Sequence, residues 1–68
     1  MIQKIRIFVS RDINAAGRPF YRSVVAIDGS GWALFVSDPC FTQNRARSEA
    51  EEVVRELQKG SSTYILVA

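Results

Sequence analysis

Residues 48–60 read SEAEEVVRELQKG, and this stretch decides the fold class. Ser48 and Glu51 stand at the spacing of a capping box, in which each side chain satisfies a free backbone amide of the other residue. Ala50, Val53, Val54 and Leu57 recur at helical spacing on one side, while Glu49, Glu52, Glu56 and Lys59 occupy the other. Glu51 is placed to pair with Arg55, and Gly60 is the expected stop. The spacing predicts one amphipathic helix starting at Ser48.

The residues around it read as strands. Ile2–Val9 alternates, with Ile5, Ile7 and Val9 on one face and Lys4, Arg6 and Phe8 on the other. Asp12, Asn14, Gly17 and Pro19 mark Arg11–Pro19 as a mobile hairpin loop. Phe20–Ile27, rich in aromatic and β-branched residues, forms a second strand. It turns at Asp28-Gly29-Ser30-Gly31, whose Asp-Gly step suits a tight hairpin, into a third strand, Trp32–Val36. Ser37-Asp38-Pro39 ends that strand because proline lacks the ladder amide. Cys40–Arg47 is read as a connection to the helix, and Ser62–Val67 as a final strand that rejoins the sheet after the helix has crossed one face. The expected fold is α+β: a single domain over residues 1–68, an antiparallel β-sheet with one amphipathic helix, in the order β-β-β-α-β.

The chain has 68 residues, 47% hydrophobic and 24% charged. A chain of that length buries only about 60% of the surface its unfolded form exposes, so it builds one thin core. Without histidine, and with a single cysteine, it lacks an imidazole for zinc ligation or nucleophile activation and has no intramolecular disulfide. The alternating N-terminal stretch is neither a signal peptide nor a membrane span, so a cytoplasmic protein without membrane association is expected. The net charge of +2 is unevenly spread. Seven basic and three acidic residues precede Ser48, while two basic and four acidic residues follow from it onward.

Cys40 has neither an activating histidine nor a resolving thiol, so a buried structural role is expected over redox chemistry. Asp12, Asp28 and Asp38 sit in turns, where Asp bonds to the backbone, and a magnesium role is the weaker reading. The two glycines of Asp28–Gly31 lack the helix and lysine of a phosphate loop. Trp32, as the largest side chain, is expected to anchor the core more than a partner. Neither catalytic residue, cofactor nor metal site is expected. The suggestive set is Lys4, Arg6 and Phe8 on the first strand, Arg22 on the second, and Arg45 and Arg47 ahead of the helix. Basic residues interleaved with an aromatic on a sheet are what a nucleic-acid platform uses, charge following phosphates and rings stacking on bases. The competing reading is a solvated face with charges kept for solubility and edge protection.

Two resemblances arise from these residues. Gly31 through Phe41, Thr42, Ala46, Ala50 and Leu57, where a sheet hands over to a helix, looks somewhat like the arm-type DNA-binding domains of phage integrases, to which this chain adds the strand Thr63–Val67. Over more of the chain, the first strand, a Gly-containing loop, Asp28-Gly29, Ser37-Asp38-Pro39, one helix, and Gly60-Ser61 leading into Tyr64-Ile65-Leu66 are similar to small phage-encoded anti-CRISPR proteins of the type I-F inhibitors. The connection from Pro39 to Gly60 is longer here. The second resemblance implies a non-catalytic inhibitor that occludes or locks a host protein complex. Its candidate contacts are the basic face, the loops Arg11–Arg18 and Cys40–Arg47, and Trp32 and Phe41 as anchors; the acidic side of the helix, Glu49, Glu52 and Glu56, is placed to meet a basic groove. Net positive charge disfavours acidic DNA mimicry. The alternative class is a nucleic-acid-binding module, and a homodimer formed through an exposed sheet edge is a third expectation.

Overall fold

The computed structural model describes residues 2–61 and 63–67; Met1, Ala68 and Ser62, the first residue of the expected last strand, lie outside them. Its elements are β1 (Gln3–Ile13), β2 (Pro19–Ile27), β3 (Ala33–Val36), α1 (Gln43–Gly60) and β4 (Tyr64–Leu66), in the expected β-β-β-α-β order. The sheet runs β3-β2-β1-β4. β1, β2 and β3 form the expected antiparallel meander, but β4 pairs with β1 in parallel, so the sheet is mixed. The direction of the helix explains this. β3 carries the chain away from the end of the sheet where β1 begins, α1 returns it there, and the next strand then has to run alongside β1.

The alternation of β1 holds. Ile5 and Val25, neighbours on the face that meets the helix, are fully buried and pack with Ala50 and Val54; Ile7, Ile27, Phe35, Val53, Leu57 and Tyr64 surround them. Small residues at Ala46 and Ala50 bring the helix close to the sheet. Burying a side chain such as Ile5 or Val25 contributes about 1.5–3 kcal/mol, so a few such contacts carry most of the stability.

Several boundaries differ from the sequence reading: β3 starts at Ala33 rather than Trp32, β4 spans only Tyr64–Leu66, and the helix and the first hairpin differ more. The helix starts at Gln43, capped by Thr42, whose hydroxyl accepts from the Arg45 N–H at 3.2 Å. Its first turn holds no acidic residue, which hid the start, and the Ser48 capping box lies inside the helix. The helix includes Gly60 and ends at Ser61, whose N–H donates to the Leu57 carbonyl at 3.0 Å. The expected loop Arg11–Pro19 is shorter than read, residues 14–18, because β1 and β2 stay paired from Ile5↔Ile27 out to Ile13↔Pro19. Asn14 makes the tight reversal possible: its Oδ1 accepts from the Ala16 and Arg18 N–H groups, both at 3.0 Å, and Gly17 takes φ 79°.

β1 outruns the core. Eleven residues of strand extend about 37 Å at 3.4 Å each, against about 27 Å for eighteen residues of helix. Residues 10–19 are accordingly all exposed and form a projecting two-stranded arm. The molecule measures 45 × 22 × 17 Å, and its radius of gyration of 12.8 Å exceeds the roughly 11 Å of a compact chain of this length.

Ser23 is fully buried, and its hydroxyl has no hydrogen-bond partner among the described residues. Replacing it removes an unpaired polar group, so Ser23→Ala is expected to stabilise the protein by about 0.5–1 kcal/mol in urea unfolding. Ala50→Leu, which forces volume under the helix, is expected to destabilise it by about 1–3 kcal/mol. A Ser23→Ala variant clearly weaker than the parent would mean that the hydroxyl has a partner after all.

Candidate interaction face

The single helix covers one side of the sheet, and the alternate residues of each strand face away from it. Lys4, Arg6 and Phe8 are on this open face, as the alternation predicted, and so is Arg22, which lies opposite Ser10. Arg45 and Arg47 are not. They sit in the first two turns of α1, on the other layer, and are exposed there rather than ahead of the helix. The six candidate contacts therefore divide into a sheet set and a helix set.

Two of the three charges of the sheet set, Arg6 and Arg22, are tethered. Arg6 Nε donates to Asp28 Oδ1 at 2.6 Å, and the guanidinium of Arg22 lies over the Phe20 ring, 5.6 Å from its centroid. Both arrangements are partly solvated and each contributes no more than about 1 kcal/mol. Between them runs a row of which the candidate set included only Phe8. Phe8 pairs with Val24, and Val24 pairs with Val36, so three apolar side chains lie abreast across β1, β2 and β3. Phe8 and Val36 are each 54% exposed. Ile65, also exposed, lies on the same face beside Lys4 on β4, with Arg6 between it and Phe8. The signal was present in the sequence: Val24–Ile27 and Ala33–Val36 are unbroken apolar runs, and one helix can cover only half of their side chains.

Trp32 does not anchor the core. It precedes β3 and is 73% exposed, held in the β2–β3 turn by its carbonyl, which accepts from the Ile27 N–H at 2.9 Å. The glycines on either side of Ser30 both take positive φ, and this four-residue turn carries the indole past the edge of the packed layers. Phe41, 74% exposed, lies beside the helix start at the opposite end of the sheet, so the two anchors are not brought together. Of the two candidate contact loops, Arg11–Arg18 is mostly the arm and Cys40–Arg47 is mostly the first turns of α1.

The turn aspartates are engaged separately: Asp12 accepts from the Ile13 N–H, Asp28 from Arg6, and the backbone carbonyl of Asp38 from the Ser37 hydroxyl and the Cys40 thiol. Cys40 is buried, and its backbone exchanges two hydrogen bonds with Tyr21, at 2.7 and 2.8 Å, pinning the helix approach to the base of the arm. A groove of about 730 Å³ opens between α1 and the edge strand β3. Phe35, Val53 and Leu57 form its floor, and the Glu49, Glu52 and Glu56 side of the helix is its rim, with Asp38 at one end.

With this geometry in hand, comparisons with protein-family models, curated proteins and solved structures gave no match to the chain.

Burial, reinforced by the Glu49 carboxylate, pushes the Cys40 thiol above its ordinary value of 9.0. The folded chain thus keeps this proton to higher pH than the unfolded chain. The thiol's contribution to stability is complete below pH 9.0 and is lost as pH rises from there through the folded value. The stability difference between the parent and Cys40→Ala should shrink between pH 8 and pH 10 in urea unfolding. A difference constant across that range would remove the assignment.

Proposed function

We propose that this chain is a non-catalytic binding protein that seats the open face of its sheet on a host protein complex, in the manner of the anti-CRISPR inhibitors it resembles. The observation that carries the proposal is the Phe8–Val24–Val36 row, which is apolar, in register and about half exposed at its two outer members, Phe8 and Val36. Covering such a row removes apolar surface from water at about 25 cal/mol per Å² and costs little ordering, because the strands already hold the side chains in place. Lys4, Arg6 and Arg22 then form the polar rim that surrounds the apolar centre of an interface. The absence of histidine and the burial of Cys40 support a role in binding rather than catalysis.

Nucleic-acid binding is the second reading. It is favoured by the position of Arg22 diagonal to Phe8, where charge and ring would lie side by side along a single strand. Arg6, paired with Asp28, weighs against it.

The two readings separate in a capture experiment on nuclease-treated lysate of a bacterial host. The tagged parent is expected to retain a stoichiometric protein partner, Phe8→Glu/Val36→Glu to lose it by at least about tenfold, and Lys4→Glu/Arg22→Glu to keep most of it. Capture that disappears with nuclease, and falls steeply with salt and with the basic reversals, would establish the nucleic-acid reading instead.

A further inference from the structure

Two features of the chain belong to neither the core nor the open face, and they complement each other. The arm presents Ile13, 60% exposed, flanked by Arg11 on the same strand face and by Arg18 in the adjoining turn. A two-stranded ribbon without a third strand or a covering helix is marginal in water, so an arm of this length gains from being held. The groove presents the reverse: an apolar floor of Phe35, Val53 and Leu57 under the carboxylates of Glu49, Glu52 and Glu56. The three carboxylates, at i, i+3 and i+7, span about 10 Å of helix, which a strand covers in about three residues. Other charges face these groups: Asp12 neighbours Ile13, and Lys59 Nζ reaches Glu56 at 3.4 Å, leaving Glu49 and Glu52 as the principal rim.

The arm projects beyond the core whereas the groove lies between α1 and β3. We propose that the arm of one copy seats in the α1–β3 groove of a second copy, Ile13 on the apolar floor and Arg11 and Arg18 against Glu49 and Glu52. Donor and acceptor surfaces differ, so the contact is heterologous unless two copies exchange arms, and it differs from pairing of sheet edges. It shares with the Phe8 row only Val36, which also lines the groove, and leaves Phe8 and Val24 open.

Charge exchange tests this. Mass is measured by light scattering across protein concentration at low and high salt. The parent is expected to self-associate, more weakly at high salt. Arm reversal (Arg11→Glu/Arg18→Glu) and groove reversal (Glu49→Lys/Glu52→Lys) should each lower self-association by at least about tenfold, and an equimolar mixture of the two should restore it. Neutral variants, Arg11→Gln/Arg18→Gln and Glu49→Gln/Glu52→Gln, serve if a reversed chain fails to fold, and each should lower association as well. A parent that stays monomeric to millimolar concentration overturns the proposal. So does association that survives both reversals, or a mixture that remains monomeric.

Discussion

Everything in this molecule depends on the seating of one helix against one face of a four-stranded sheet. Ala46 and Ala50 allow α1 to approach closely, and Ile5, Val25 and Val54 fill the space between. The contact is small, and this is the constraint that shapes the rest of the molecule. A single helix has one apolar stripe, so it can desolvate only one side of the strands. Strands with unbroken apolar runs must then show their other side to solvent, and the Phe8–Val24–Val36 row is the result.

The length of the helix sets a second consequence. β1 and β2 continue their pairing past the reach of α1, held by backbone bonds and by the Asn14 turn without a core beneath them. What emerges is an arm that is ordered by its own ladder but exposed on both faces. At the other side of the fold β3, only four residues long, stops short of the helix flank and leaves the acidic groove open beside it. Arm and groove both follow from elements of unequal length in a chain with one thin core.

Several of these features were legible in the residues. The alternation of β1 placed Ile5 and Ile7 towards the helix and Lys4, Arg6 and Phe8 away from it, because a strand's period of two is fixed by local backbone geometry. The Ala50-Val53-Val54-Leu57 stripe revealed the helix for a similar reason. Its true start was less visible, since Thr42 caps a first turn that carries Arg45 and no acidic residue. Trp32 was misjudged from its size: a large side chain offers more area to bury, but a turn with two positive-φ glycines carries it past the layers that would bury it.

Element types, their order, and the face each side chain of β1 takes follow from periodicities that act over a few residues, and so could be read from the chain alone. The parallel pairing of β4 with β1, the placement of Arg45 and Arg47 on the layer opposite Arg6 and Arg22, and the pinning of Cys40 to Tyr21 come from the packed fold. These outcomes depend on where the helix returns the chain and on how far each strand pairs. Both are set by contacts between residues distant in sequence, and no local pattern encodes them.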